Sequence, residues 1–531
     1  MSRVEVPADL PAAEASSRPG LSRAVTHGSF WMMLSAAIQR GASFAAQIVL
    51  GWLLTERDFG IFALAISISA LTGALRDGGV RQLLIQRHAD YERLLGPTFW
   101  MALAFNALTG LLLAIAAPTI ASAFGEPALV SLIVILAIAQ PLGTPSAILT
   151  ARLAIDLRFR EAGRIAAVSS LVRYLGTIAL AKAGFGPLSF VLPLPVLSII
   201  EGGMAYAYTR EKPWSLPANV RTWLRMLTEA RWIIIGTFGI AALNLGAALT
   251  IKPFVSTAIV GVYYFAFQVI VQVGMLLSAN ILQVLFPAFA RINDDPARLS
   301  AAASRALRQL MLIATPMCLG LAAIFGPVEL LVWHGKWRAA AEAVRAIGLL
   351  YPAVIASSVS LALLQAAGRF RASGLALLAM GVASLGGAMV GAMISGTAIG
   401  IAIFTSVATG AVSLAVTWDT MRRTGVSGKD ILGALVPAWL VSCSAFAASY
   451  GLDRLLGERA APALIRAAAS AVLFVAIFGV TARLAIPSHL EEALSVMPSR
   501  MRGLAARLLR IGVASPVVAG GAEAIGKSSP S

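Results

Sequence analysis

Between Thr26 and Arg483 about fourteen apolar segments follow one another, each close to the roughly 20 residues that a membrane-spanning helix needs. They fall near 26–54, 59–75, 97–118, 128–150, 164–183, 186–208 and 231–252. The series continues near 258–285, 307–330, 345–366, 372–394, 396–418, 430–450 and 462–484. The pattern predicts an all-α polytopic membrane protein of about 14 transmembrane helices. No connection between segments is long enough for a separately folded domain, which rarely falls below about 50 residues.

Charge then orients the segments. Arg and Lys gather in every second connection, as in Arg152, Arg158, Arg160 and Arg164, or Arg422, Arg423 and Lys429. The split is roughly 31 on one side to 9 on the other, a bias that places the richer side in the cytoplasm. Both termini are therefore expected to be cytoplasmic, in the inner membrane of a bacterium. The connection from Trp333 to Arg345, with Lys336, Arg338 and Arg345, breaks the rule locally. Composition agrees with the membrane class: 58% of residues are hydrophobic and 13% charged, against about a quarter charged in soluble domains. The formal charge of +17 is spread through short loops and not gathered on one face, so it marks topology and excludes a nucleic-acid partner. Cys318 and Cys443 lie in apolar segments, and the four histidines are isolated. Neither a disulfide framework, a metal site nor any cofactor is expected.

An internal repeat organises the segments further. Gly60-Ile61-Phe62-Ala63-Leu64-Ala65 matches Gly261-Val262-Tyr263-Tyr264-Phe265-Ala266. At the same offset Arg81-Gln82-Leu83-Leu84-Ile85 lies over Leu282-Gln283-Val284-Leu285-Phe286. Six expected spans separate the copies, so the halves share one orientation, the arrangement of parallel-repeat transporters with the substrate path between halves. The expected organisation is a disordered cytoplasmic tail (1–25), an N-lobe of spans 1–6 (26–208), a cytoplasmic linker (209–230) and a C-lobe of spans 7–12 (231–418). Two extra C-terminal helices (430–484) and a basic cytoplasmic tail (485–531) complete it. Basic and apolar residues from Arg500 to Ile511 alternate at helical spacing and predict a helix on the anionic inner leaflet.

Leu53-Leu54-Thr55-Glu56-Arg57-Asp58-Phe59-Gly60, Ala63-Leu64-Ala65 and Leu84-Ile85-Gln86-Arg87 resemble the opening signature of the Wzx-type oligosaccharide flippases. Those proteins belong to the multidrug/oligosaccharidyl-lipid/polysaccharide exporter superfamily. Val284-Leu285-Phe286-Pro287-Ala288-Phe289-Ala290-Arg291 resembles the family's motif at the end of the eighth span. Glu56 departs from the pattern where family members often carry proline, and the basic motif of the lipid-II flippase branch is not found. The resemblance implies a non-enzymatic carrier that moves an undecaprenyl-pyrophosphate-linked oligosaccharide from the cytoplasmic to the periplasmic leaflet. A polysaccharide polymerase and glycosyltransferases would be its working partners.

The residues nominate a cationic cavity independently. An arginine at bilayer depth costs about 2.5–3.5 kcal/mol, so Arg40 in the first expected span and Arg173 in the fifth should face a wet interior. With Lys252 near the outer end of the seventh, they form a set suited to pyrophosphate, whose oxygens match the planar guanidinium fork. Arg173 has a competing structural role, an ion pair with Glu201 of the sixth span. Gln47, Asn244, Gln268 and Gln272 are uncharged candidates for sugar hydroxyls, with Asn280 and Gln283 beside them, although helix–helix hydrogen bonding uses the same groups. Tyr263-Tyr264 would either stack on sugars or anchor a span end, and Pro141, Pro145, Pro193, Pro195 and Pro316 predict kinks. Asn293-Asp294-Asp295-Pro296 reads as a helix N-cap and not as a metal motif. Two other functions compete. A cation-coupled multidrug antiporter would want acidic residues where this chain has arginines. A polysaccharide polymerase or ligase would want a large periplasmic loop, and the outer loops here are short.

Overall fold

Away from water, every backbone N–H and C=O must be satisfied within the segment, so apolar runs of this length fold as helices. The structure, a computed structural model, describes residues 38–77, 91–156 and 158–496, and among them there is helix and no strand. The expected N-terminal tail, Arg81, Arg87 and the helix expected over Arg500–Ile511 lie outside the described residues. So do the side chains of Asn280 and Gln283.

The helices are α1 (38–53), α2 (Glu56–Asp77), α3 (Tyr91–Phe124), α4 (Ala128–Leu142), α5 (Thr144–Ile155), α6 (Phe159–Lys182) and α7 (Pro193–Thr209). α8 (Arg221–Ala241) runs through a π-turn, Ala242–Gly246, into Ala247–Ile251. There follow α9 (Thr257–Arg291), α10 (Pro296–Trp333), α11 (Arg338–Leu350), α12 (Pro352–Ala366) and α13 (Phe370–Ser395). α14 (Ala398–Arg423), α15 (Gly428–Ala460), α16 (Ala463–Ala485) and α17 (Pro487–Val496) complete the described residues. Among the described residues ten helices are long and apolar enough to cross a bilayer, twelve when α4 with α5 and α11 with α12 each count as one bent span. Fourteen is not reached among the described residues. The first expected span begins before residue 38, and α2 carries Glu56, Arg57 and Asp58 in its first turn.

Of the prolines expected to kink helices, Pro141 and Pro145 lie at a bend, Pro193 and Pro195 start α7, and Pro316 lies within the continuous α10. Pro141 and Pro145 flank Gly143, about which α4 and α5 bend by 43°. Asp295 caps α10, its carboxylate accepting from the Arg298 N–H at 3.0 Å, with Pro296 in the first turn.

Two compact units emerge. Unit 1 comprises Met1–Phe265 with Phe370–Thr409, and unit 2 comprises Ala266–Arg369 with Gly410–Ser531. In unit 1, α13 packs along α8, where Gly374 and Gly381 lie against the backbones of Trp232 and Gly239. Such small-residue contacts let membrane helices approach closely. Unit 1 also brings together the two copies of the repeated motif. A side chain on Gly60 would collide with the Thr257 carbonyl, and one on Gly261 with the Glu56 carbonyl. The relation is reciprocal, each glycine meeting the carbonyl four residues before the other. Phe59 packs edge-on to Phe265 (5.5 Å between centroids) and Phe62 to Tyr264 (5.9 Å), while Phe62 stacks on Phe190 (4.1 Å). Tyr263 and Tyr264 are buried, and Tyr264 belongs to this aromatic layer.

Candidate functional site

The start of α2 is built by its own sequence. The Asp58 carboxylate accepts from the Thr55 N–H (2.8 Å), and the Asp58 N–H donates back to Thr55 Oγ1 (3.2 Å). This reciprocal box starts the helix at Glu56. It aims Arg57 at Glu126, whose Oε2 accepts from Arg57 Nη2 at 2.9 Å. Thr257 Oγ1 donates to the other oxygen, Oε1. Burial alone would raise the Glu126 carboxyl, which is 5% exposed in the loop between α3 and α4. The hydrogen bonds from Thr257 and Arg57, with the charges of Arg57 and Lys252, outweigh burial and hold it below the ordinary carboxylate range. An ionic cap thus covers the aromatic layer at one end of unit 1.

The cavity lies beyond this layer. It begins at Ile66, about 9 Å along α2 from Gly60 at 1.5 Å per residue. It encloses about 740 Å³, within the range of small-molecule sites. Each wall is one helix face: Ile66, Ser69, Ala70 and Gly73 on α2 follow the i, i+3, i+4, i+7 spacing, as do Leu194, Leu197, Ser198 and Glu201 on α7. Gly143, at the bend between α4 and α5, forms part of the lining.

Arg173 and Glu201 both line the cavity, and they are the single cation and the single carboxylate among its described lining residues. They make no ion pair with each other. Ser146 Oγ donates to Glu201 Oε2 at 3.3 Å, and the Arg173 guanidinium lies 5.8 Å from the Tyr174 ring centroid. Two buried amides extend the polar wall. Asn106 Nδ2 donates to Thr144 Oγ1 (2.7 Å), and Gln140 Oε1 accepts from Thr109 Oγ1 (3.2 Å). Asn106 Oδ1 and Gln140 Nε2 have no hydrogen-bond partner among the described residues. As assigned, the amides leave one acceptor and one donor unpartnered in the cavity wall.

The other sequence candidates are dispersed. Arg40 and Gln47 are half-buried on α1, and neither lines the cavity. Lys252 joins the electrostatics of the cap through Glu126. Asn244 Nδ2 returns to its own helix, donating to the Ile240 carbonyl at 3.0 Å. Gln268 and Gln272 are half-buried on the part of α9 that belongs to unit 2. The sequence reading passed over Asn106, Gln140 and Ser146. Asn106 and Gln140 are isolated amides in apolar runs, a signal as legible as Gln47.

The profile of polysaccharide biosynthesis proteins matches residues 49–342. The chain is 24% identical over 324 residues to the succinoglycan biosynthesis transport protein ExoT of Rhizobium meliloti (strain 1021), covering 60% of this chain and 64% of that one. It is 25% identical over 316 residues to the lipopolysaccharide biosynthesis protein WzxC of Escherichia coli (strain K12), covering 59% and 63%. The chain thus spans less than two thirds of the length of both relatives. Its fold is similar to that of the lipid II flippase MurJ in an inward closed conformation. The TM-score is 0.66 at 12% identity, over 85% of this chain and 98% of that one.

Proposed function

The chain belongs to the polysaccharide biosynthesis protein family, and we propose that it is a transporter, not an enzyme, moving a polyprenyl-pyrophosphate-linked oligosaccharide across the bacterial inner membrane. The substrate passes from the cytoplasmic to the periplasmic leaflet for assembly of a surface polysaccharide. The observation that carries this reading is the polar cavity of unit 1, where Arg173 has no acidic partner among the described residues. An arginine held among membrane helices without a counter-ion is suited to an anionic ligand, because its planar fork donates two parallel hydrogen bonds to phosphate oxygens. Asn106, Gln140, Ser146 and Ser198 supply donors and acceptors of the kind that sugar hydroxyls need. The polyprenyl tail stays in lipid. Both termini are cytoplasmic in this scheme, in keeping with the charge bias of the loops.

Arg173 takes the first phosphate contact in this proposal, Arg40 remains a second cationic candidate, and Lys252 acts through the cap. Fluorescent lipid-linked oligosaccharide in reconstituted vesicles tests the scheme by its exposure in the opposite leaflet. Arg173→Ala should slow translocation about ten- to a hundredfold, with partial recovery in Arg173→Lys, as expected for the loss of a charge-assisted contact. Arg40→Ala, measured beside it, tests the second candidate. Wild-type rates in Arg173→Ala would remove this arginine from the substrate path. The absence of translocation by the wild-type protein would sink the transport reading itself.

A further inference from the structure

Unit 2 holds a second polar cavity, of about 120 Å³, at the junction of α10, α11, α15 and α16. It takes in the connection whose arginines break the charge rule. Arg466, in the first turn of α16, is 7% exposed and binds Asp453 Oδ1 through Nε (2.9 Å) and Nη2 (2.7 Å). Its third nitrogen, Nη1, is buried with no partner among the described residues. Arg345 donates to Glu342 Oε1 through Nη1 (2.5 Å), and its buried Nε is likewise without a partner. Gly326 makes room for this guanidinium, since a Cβ there would collide with Arg345 Nη2. Arg345 and Arg454 lie on the ring of Tyr450, at 4.8 and 5.1 Å from its centroid.

Among the described lining residues Arg338, Arg345, Arg454 and Arg466 face three acids, Glu329, Glu342 and Asp453, which leaves one positive charge in that set when all are ionised. All three acids already have donors, Glu329 from the Trp337 N–H (2.8 Å), Asp453 from Arg466 and Glu342 from Arg345. Buried guanidinium N–H groups without acceptors are costly, and a singly charged oxyanion answers both the charge and the orphaned donors. Exposed apolar side chains adjoin two of the cavity's arginines along the chain. Leu455 follows Arg454, Leu464 and Ile465 precede Arg466, and all three are exposed. We propose that this cavity binds the phosphodiester of an anionic phospholipid, with the acyl chains lying along Leu455, Leu464 and Ile465. Basic pockets between membrane helices recognise lipid headgroups in this way. The site is separate from the unit 1 cavity and does not depend on what that cavity carries.

The test uses the purified full chain in detergent, titrated with phosphatidylglycerol, with a neutral galactolipid of the same chains, and separately with inorganic phosphate. Native mass spectrometry counts bound lipid, and thermal shift reads stabilisation. Asp453→Asn/Arg466→Gln removes the charge pair together, so that no lone buried ion remains. Gly326→Ala displaces Arg345 without changing charge, and circular dichroism checks that both variants fold. Phosphatidylglycerol should bind about tenfold more weakly to each variant than to the wild type, with the galactolipid unaffected. Equal phosphatidylglycerol binding by wild type and both variants would overturn the site. Galactolipid binding as tight as phosphatidylglycerol would overturn it as well. Stabilisation by inorganic phosphate alone would keep an oxyanion site and remove the lipid.

Discussion

At the residue scale, Glu126 shows how one buried carboxylate is kept ionised. Arg57, Thr257 and Lys252 come from two other parts of unit 1, and together they outweigh the burial that would protonate it. A carboxyl held below its ordinary value stabilises the fold at pH above the unfolded glutamate range, about 4.3. That contribution is lost as pH falls through the lower folded value. Glu126→Gln removes the titrating group. The stability gap between wild type and Glu126→Gln, from thermal unfolding, should be constant near neutrality and should close as pH falls below about 4. A gap that persists unchanged to pH 3 would contradict the assignment. Arg173 and the amides show the limit of reading residues singly. The cost of an arginine at bilayer depth marks Arg173 from sequence alone. Asn106 and Gln140 carry the same kind of signal as Gln47, yet only packing decides which of them turns toward the cavity.

At the element scale, the repeated motif is a helix contact. Gly60 and Gly261 were legible as a pair by their register, but the sequence held no sign that the copies touch. The capping box of Thr55 and Asp58, the reach of Arg57 and the missing side chain at Gly60 all serve one crossing. Much of the motif that carries the family resemblance is therefore structural in this chain. Gly261→Leu should destabilise by about 1–3 kcal/mol or more, the usual cost of overpacking a tight contact, and should lower the apparent Tm of the purified protein. Gly433→Leu, at a position open to space, serves as the control. An unchanged Tm in the seam variant would mean that the helices part there at no cost. Kinks were also legible, because proline at Pro141 and Pro145 leaves the backbone few alternatives.

At the scale of the molecule, helical class and membrane habit followed directly from the length of the apolar runs, whereas the span count did not. Charged residues in the first turn of α2 and the bends at Gly143 and Tyr351 blur where one span ends. Part of the exception to the charge rule has a local explanation. Arg345 of that connection is tied to Glu342, as Arg454 and Arg466 of the next outer connection are tied to Glu342 and Asp453 within unit 2, so these three are not free loop charges of the kind that orient a chain. The transport reading makes a prediction at this scale too. An inside-negative potential favours outward movement of a phosphate headgroup by about 2.3 kcal/mol per charge per 100 mV. Imposing such a potential across proteoliposomes should accelerate outward translocation, and dissipating it should remove the gain. A rate indifferent to potential would mean that the headgroup charge is compensated during the step.

The reciprocal contact of Gly60 and Gly261 has a historical consequence. Two identical chains related by a two-fold axis touch each other through the same surface, residue i on j and j on i. The seam has that isologous form within a single polypeptide, with Gly60 on Thr257 and Gly261 on Glu56. A half-length ancestor pairing with its own copy would have made this contact as a homodimer. Any substitution at its glycine would then have struck both sides of the crossing at once. A fusion of two such copies would separate those fates, leaving each side of the seam free to change alone.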